Sequence, residues 1–445
     1  MAKLWQKGNN NESELAKKVE KFTVGKDKEL DLLLAKFDVL GTLAHTKMLN
    51  KINLLSTEDY QSVQAELKEI LNEIDAGKFI IQAQSEDIHS EIEFRLTKGK
   101  ATHTGRSRND QVLVDIKLFT RDKLEQIVQH TKHVFDLLIK LSNQHKNHLF
   151  PGYTHLQLAM PSSFGLWFAA YAENLVDDIE CVYAAFKMAN KNPLGSGAGY
   201  GSSFPLDRNY TTELLGFDDL NYNVVYAQMN RGKMERVVTQ ALANIAATLS
   251  KLSMDATIYL NQHFSFISFP DVLTTGSSIM PHKKNPDVFE LIRAKCNKLQ
   301  NLPNQIQSIT NNLPSGYHRD MQIIKEDYLL SFDTLIDCLE MMQILLENIE
   351  VKENLLNDEK FNYLFTVDSI NQLIHEKKFT FRDAYIEIGK QVENKTYIKP
   401  TEIKHTLAGS IGNLCNEKIQ QNMEKTIQQF PFKHIHQKLK NLISN

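Results

Sequence analysis

The chain has 445 residues, of which 42% are hydrophobic and 24% charged, and its 51 basic and 54 acidic side chains give a formal net charge of −3. This length predicts two or three domains, and with a net charge near zero no basic field suggests nucleic-acid or membrane binding. No apolar run approaches the roughly 20 residues that span a bilayer, and the N-terminus lacks the apolar segment of a signal peptide. The four cysteines are widely scattered, which indicates neither a disulfide framework nor a metal site. We therefore expect a cytoplasmic protein.

Glycine (19) and proline (11) are scarce for this length, which favours a mostly helical fold. Thr57 is expected to cap an early helix, and Gly77 to end it. Pro161 is expected to open one of the long helices. The apolar periodicity predicts helices over about 28–50, 58–75 and 86–98, one of about 35 residues after Gln111, and others over about 162–190, 231–262, 287–312 and 325–349.

Five of these helices are long, share one period and lie in the middle of the chain, so we predict an all-α protein with a central helical bundle. We place an N-terminal helical domain at 1–105, the central bundle with a catalytic loop at 106–355 and a small C-terminal helical domain at 356–445. Long, partly apolar helices often continue their packing between subunits, so we also expect an oligomer.

Residues 274–287 form a polar segment that leads into a helix. In it, two hydroxyls follow Gly276, and a histidine, two lysines and an amide lie between Pro281 and Pro286. Gly276 frees the backbone locally, while Pro281 and Pro286 restrict it. Such a loop can close over an anionic substrate and exclude water. A surface connection bounded by prolines is the alternative.

Three other polar clusters interrupt helical sequence. Residues 106–109 combine two guanidiniums, a hydroxyl and an amide at a helix start, which suits an anion or an ordinary cap. Residues 152–157 carry His155, which is either structural or a proton-transfer group. Residues 317–325 supply phenol, amide and ammonium groups at helical spacing, for a ligand or for a solvated helix start. The glycine-rich loop at 195–201 fails the dinucleotide pattern and lacks its strand–helix setting.

Several motifs in the sequence resemble those of a known enzyme family. The segment Gly-Ser-Ser-Ile-Met-Pro-His-Lys-Lys-Asn-Pro at 276–286 resembles the shared loop of the fumarase/aspartase superfamily of lyases. Segments 86–89, 105–112, 151–157 and 193–198 resemble the argininosuccinate lyase family in particular, as does the cluster at 317–325.

This resemblance implies reversible cleavage of argininosuccinate to arginine and fumarate, the last step of arginine biosynthesis. It also implies a homotetramer with a 20-helix core, in which each active site draws on three subunits. No metal or organic cofactor is expected, and neither nucleic acid nor membrane is an expected partner.

The resemblance also implies roles for individual residues. Ser277 would be the base, assisted by Lys283, and His155 the acid, although the roles of the serine and the histidine are reversed in some accounts. The substrate-binding residues would be Arg106, Ser107, Arg108, Asn109, Thr154, Gln157, Asn285, Tyr317, Gln322, Lys325 and Arg231.

Some positions depart from the family pattern. Trp5–Asn9 replaces the usual Trp-Gly-Gly-Arg-Phe, and the N-terminal substrate-binding serine has no clear counterpart, with Gly25 or Asp27 nearest. Arg231 is one residue out of register with the usual guanidinium, and His282 replaces a glutamine. The alternatives are adenylosuccinate lyase, another fumarate-releasing lyase of the superfamily, or a non-catalytic crystallin-like member.

Overall fold

The computed structural model describes residues 14–82, 84–400, 403 and 405–444, most of which are helical. The atypical opening Trp5–Asn9 lies outside the described residues. The α-helices are α1 (Glu14–Val24), α2 (Asp27–Asp31), α3 (Ala35–Lys51), α4 (Thr57–Asp75), α5 (Ile88–Arg95), α6 (Gly99–Thr102), α7 (Arg108–Gln144), α8 (Phe164–Ala189), α9 (Arg208–Leu214), α10 (Val224–Met229), α11 (Lys233–Leu260), α12 (Asp287–Thr310), α13 (Ile323–Glu347), α14 (Thr366–Lys377), α15 (Phe381–Glu393), α16 (Asn416–Ile427) and α17 (Phe432–Ser444). The strands are β1 (Leu149–Thr154), β2 (Gln157–Ser163), β3 (Lys191–Asn192), β4 (Asp219–Leu220), β5 (Ile267–Ser268), β6 (Thr275–Gly276), β7 (Lys284–Asn285) and β8 (Glu350–Val351), which pair as β1–β2, β3–β4, β5–β8 and β6–β7.

Five long helices build the centre of the molecule, as the periodicity predicted. They are α7, α8, α11, α12 and α13, with 37, 26, 28, 24 and 25 residues. α11 packs against α8, α12 and α13, and α7 packs against α8 and α13. The apolar residues that recur along α7 from Ile116 to Leu141 are buried, so the predicted stripe faces the core. One hydrophobic core extends from Leu30 near the N-terminus to Leu442 in α17.

The chain crosses this bundle repeatedly, so its connecting segments gather at two opposite ends. At one end, which we call the Lys325 end, Gly232 before α11 lies against Thr310 at the end of α12. At the other, the Ser277 end, β5 after α11 pairs with β8 after α13. The 28 residues of α11 separate the two ends by about 42 Å, since an α-helix rises about 1.5 Å per residue.

Two predicted helix starts were wrong. α4 is capped by Ser56, whose Oγ accepts a hydrogen bond from the N–H of Asp59 at 3.1 Å, and the expected cap Thr57 is the first helical residue. Both residues are good caps, so the sequence alone did not separate them. α8 begins at Phe164 and not at Pro161, because the preceding residues form strand β2.

The hairpin β1–β2 was not predicted from the sequence. Pro151 pairs with Pro161, and the register shifts between Pro151 and Tyr153. The turn residues His155 and Leu156 have φ values of 55° and 57°, a region usually occupied by Gly, Asn or Asp in hairpin turns. The usual turn signal is therefore missing from the sequence.

The outer elements pack around the bundle. α3 contacts α4 and α7, and α16 packs against α8, while α14 and α15 share a small cluster of their own around Ile370, Ala384 and Ile388. The expected boundaries near 105 and 355 fall just before α7 and just after β8. Among the described helices, none combines the length and apolar character needed to cross a bilayer.

Candidate active site

The predicted catalytic loop is a short exposed hairpin that leads into α12. Strands β6 and β7 pair antiparallel, with Thr275 opposite Asn285. The Ser277 side chain lies at the turn, where its Oγ accepts hydrogen bonds from the N–H groups of Ile279 and Met280 at 3.3 and 3.1 Å. Two N–H donors on one hydroxyl oxygen stabilise negative charge on it, which is what a serine needs in order to act as a base.

The other predicted loop residues lie beside this serine in the chain. Lys283 is exposed, and no described residue pairs with its ammonium group. The neighbouring Lys284, in contrast, forms a short ion pair with Asp271. The Asn285 amide donates to Thr275 Oγ1 at 3.4 Å. Lys283 therefore remains available to a carboxylate ligand.

His155 lies at the tip of the β1–β2 hairpin, also at the Ser277 end. It is exposed together with Thr154 and Gln157, which flank the turn. The base of the hairpin is held by aromatic packing, with Phe150 stacked on Phe164 at 4.6 Å between ring centroids. Because the base of the hairpin is packed and its tip is exposed, the His155 imidazole is accessible from outside its own chain.

The start of α7 lies at the Lys325 end and is held by a capping box. Ser107 Oγ accepts from the N–H of Asn109 at 3.2 Å, and Asp110 accepts from the N–H of Ser107 at 2.8 Å. The other oxygen of Asp110 accepts from the N–H groups of Gly195 and Gly197. The glycine-rich loop thus supports the helix start, and the expected anion site is also an ordinary cap.

The two arginines of this segment point in different directions. Arg106 is buried, and it donates to Thr42 Oγ1 at 3.0 Å and to Gln111 Oε1 at 2.7 Å. Its guanidinium belongs to the core and is not presented to a ligand. Arg108 forms ion pairs with Glu86 at 3.4 Å and Asp87 at 2.9 Å, so it joins α7 to the start of α5.

Lys325 lies almost fully buried between two carboxylates. Its Nζ forms ion pairs with Asp31 and, at 3.2 Å, with Asp27, which also accepts from the Gln322 amide at 2.6 Å. Burial alone lowers the pKa of Lys325, but the charges of Asp31 and Asp27 outweigh it and the pKa is raised. The lysine therefore keeps its positive charge in the interior.

Arg231 and Tyr317 lie at the same end. The buried guanidinium of Arg231 donates to the carbonyl of Met321 at 3.3 Å and sits 5.8 Å from the centre of the Tyr317 ring. Asp31 also accepts from the N–H of Ile88 at 3.2 Å, which links the lysine to the start of α5.

The structure thus divides the predicted site residues into two groups at opposite ends of the bundle. The group at the Lys325 end comprises Ser107, Arg108, Asn109, Arg231, Tyr317, Gln322 and Lys325. The group at the Ser277 end comprises Thr154, His155, Gln157, Ser277, Lys283 and Asn285. With about 40 Å between the ends, the groups cannot meet on a small substrate within one chain.

The contact of Asp27 and Asp31 with Lys325 was not predicted, although Asp27 was one of two residues nearest to the position of the missing N-terminal serine. The two aspartates lie four residues apart on α2. Gln322 and Lys325 lie three apart, so complementary groups face each other across the two segments. This match of charge and spacing could have indicated the contact. However, Asp31 and Lys325 lie 294 residues apart in sequence.

Comparison with known sequences gives consistent matches. A family model described as lyase matches residues 10–300. An argininosuccinate lyase of Bacteroides fragilis is 55% identical to this chain, over 99% of each of the two chains. An argininosuccinate lyase of Thermotoga neapolitana is 36% identical, over 87% of this chain and 98% of its own.

Solved structures show the same fold at low sequence identity. A variant of EDDS lyase with bound fumarate matches with a TM-score of 0.74 and 18% identity, over 96% of this chain and 93% of its own. A fumarate lyase:delta crystallin from Brucella melitensis bound to cobalt matches with a TM-score of 0.69 and 16% identity, over 91% and 92%. The predicted all-α fold of the fumarase/aspartase type is confirmed, while the tetramer stays a prediction.

Proposed function

The chain belongs to the argininosuccinate lyase family, and from this premise we propose how its two groups of residues cleave argininosuccinate into arginine and fumarate. The observation that carries the proposal is the chemistry of these two groups of residues. The Ser277 end offers acid–base groups and the ammonium of Lys283, which no described residue pairs with. The Lys325 end offers opposite charges suited to an amino-acid head group.

The elimination starts with removal of a proton from the carbon beside a succinyl carboxylate. Ser277 takes this proton, and the N–H groups of Ile279 and Met280 stabilise the serine as a base. Lys283 neutralises the charge that develops on the carboxylate, and Asn285 helps to hold it. These are charges that grow only in the transition state, so stabilising them accelerates the reaction.

The second half of the reaction breaks the bond between carbon and the guanidino nitrogen. The electron pair of the former C–H bond forms the double bond of fumarate, and the electrons of the C–N bond remain on the nitrogen. His155 donates a proton to this leaving group, which departs as arginine. Thr154 and Gln157 flank the imidazole and position the succinyl part.

The Lys325 end binds the arginine part of the substrate. Its α-carboxylate pairs with Lys325 and Gln322, and its α-ammonium takes the place of Lys325 on Asp27. Asp27 then fills the role left open by the missing N-terminal serine. Ser107, Asn109, Arg108 and Tyr317 line the path between the two parts, and Arg231 supports Tyr317.

We infer that a complete site needs more than one chain, because the two groups lie at opposite ends of the bundle. We propose a homotetramer in which the five long helices of each chain form a 20-helix core. Apolar side chains on those helices support this assembly, since Met254, Leu291 and Leu330 are 44%, 62% and 43% exposed. The division into three domains and a location in the cytoplasm complete the proposal.

The reaction is tested by following fumarate through its ultraviolet absorbance, with argininosuccinate and adenylosuccinate offered separately. We expect fumarate from argininosuccinate alone. Release from adenylosuccinate alone would contradict the proposed specificity. No release from either, by a well-folded oligomer, would instead point to a crystallin-like structural role.

The shared site is tested by mixing two inactive variants. Ser277→Ala and Lys325→Met are each expected to lack turnover, but their mixed oligomers contain some sites in which both groups are intact. We expect co-expression of the two to restore up to about a quarter of the wild-type activity, because every site draws its groups from different chains.

The matched control combines Ser277→Ala with Lys283→Met. These two residues belong to the same loop of one chain, so every loop in the mixed oligomer carries a defect and no activity should return. Recovery in this control, or no recovery in the first mixture although mixed oligomers form, would contradict a site built from several chains.

A further inference from the structure

Two histidines and a glutamate converge beside α5, outside the groups used for the elimination. His89 and Glu93 lie four residues apart and therefore on one face of this helix, and His103 follows α6 and faces them. One ligand atom from each lies within 4.8 Å of the other two. His89 Nε2 and His103 Nδ1 are 3.2 Å apart and share a hydrogen bond that a metal ion would replace. Two ligands about 2.0–2.1 Å from a tetrahedral ion would lie roughly 3.3 Å apart, so the pair is already spaced to share a metal.

A buried carboxylate stands behind the first histidine. Asp38 Oδ2 lies 3.6 Å from His89 Nδ1, and both side chains are at least 96% buried. Neither atom has a hydrogen-bond partner among the described residues. A carboxylate behind a histidine is the usual support of a metal ligand, because it fixes the proton on the far nitrogen and leaves the near one free to bind.

The chemistry of the three ligands indicates which kind of metal ion the site prefers. Glu93 in the cluster and Asp38 behind His89 supply the negative charge that a cation needs. One carboxylate and two imidazoles suit Zn²⁺ and its neighbours, whereas Mg²⁺ and Ca²⁺ require more oxygen ligands.

We propose that His89, Glu93 and His103 form a binding site for one divalent transition-metal ion of the Zn²⁺ class. The three side chains leave a fourth position for water or another ligand. A cavity of about 790 Å³ lined by Glu93, Glu86, Ser90 and Arg108 adjoins the site and gives access to it. The bound ion would tie α5 to the turn that leads into α7. The elimination does not need it, so this site stands independently of the proposed mechanism.

The site is tested by titrating the chelator-treated full-length protein with Zn²⁺ in a calorimeter. Bound Co²⁺, read from its visible absorption, reports the ligand geometry. We expect one ion per chain, no binding of Mg²⁺, and a melting temperature that rises with Zn²⁺. Glu93→Gln and His103→Asn should each weaken Zn²⁺ binding by roughly tenfold or more. His263→Asn, which removes an exposed imidazole at the Ser277 end of the bundle, is the matched control and should bind normally.

Absence of saturable Zn²⁺ binding by the wild-type protein would overturn the proposal, whatever the variants do. Equal affinity of Glu93→Gln and the wild type would overturn it too. So would an equal loss in the His263→Asn control, because binding would then belong to scattered surface histidines.

Discussion

At the residue scale, two buried lysines show how neighbours decide the charge of one side chain type. Lys325 lies against the carboxylates of Asp27 and Asp31, which outweigh burial and raise its pKa. Lys117 in α7 is fully buried among neutral acceptors, the carbonyls of Met188 and Lys191 and the side chain of Asn221. Burial lowers its pKa from 10.5 to about 7, although Glu235 acts in the opposite direction. A buried ammonium needs a counter-charge, and carbonyl dipoles only partly replace one.

Lys117 should therefore give the protein a measurable dependence of stability on pH. Between about pH 7 and 10.5 the unfolded chain keeps the proton that the folded chain has released, so stability rises with pH in this window. We expect the free energy of unfolding of the wild type to rise relative to Lys117→Met by up to about 1.4 kcal/mol per pH unit. Urea unfolding at a series of pH values measures this difference. Parallel curves for the two proteins would show that Lys117 has an ordinary pKa.

At the element scale, one aspartate joins two segments of the Lys325 end. Asp110 is fully buried in the first turn of α7 and accepts hydrogen bonds from the N–H groups of Ser107, Gly195 and Gly197. Its negative charge also suits the positive end of the helix. The position of the proposed substrate-binding residues Ser107 and Asn109 depends on this carboxylate.

Removal of that carboxylate should loosen both segments. Asp110→Ala leaves several buried N–H groups without a partner, and we expect a loss of roughly 3 kcal/mol in the free energy of unfolding, together with weaker substrate binding. Asp136→Ala is the matched control, because the one described partner of this partly exposed carboxylate is Lys132, one turn away on the same helix. The control should cost less than about 1 kcal/mol. Similar losses in the two variants, measured by urea unfolding, would show that the cap has no special role.

At the scale of the whole molecule, the length of the helices determines what one chain can do. The bundle separates the proposed acid–base groups from the proposed arginine-binding groups by about 40 Å, far more than the length of the substrate. The proposed mechanism therefore requires assembly of several chains. We propose that exposed apolar side chains on the long helices, Leu291 above all, form the surface between the chains.

A charge in that surface should abolish activity without unfolding the chain. Leu291 is 62% exposed on α12, so Leu291→Asp should leave the isolated chain helical while it opposes burial of the helix between subunits. We expect smaller particles in size-exclusion chromatography with light scattering, and loss of fumarate release. Tyr385→Asp on α15, where the tyrosine is 61% exposed, is the control and should change neither property. An active, unchanged oligomer of Leu291→Asp would rule out this face as the interface.

The sequence by itself determined the five long helices, because a strong apolar period over 24 to 37 residues leaves little freedom in secondary structure. It also determined the family, since the segment at 276–286 is specific and the match extends over nearly the whole chain. Helix starts were harder to predict. Ser56 and Thr57 are both good caps, and the hairpin turn at His155 and Leu156 carries no glycine or asparagine to mark it.

Only the tertiary structure decided how those motifs are arranged in space. Arg106 and Arg108 are neighbours in one motif, yet one guanidinium lies in the core and the other joins two helices. Asp27 meets Lys325 across almost 300 residues of sequence, a contact that no local pattern encodes. The same holds for the separation of Ser277 from Lys325, because the distance between two loops depends on the direction in which each rigid helix crosses the bundle. Local periodicity specifies the helices, and the packing of the core specifies which of their ends meet.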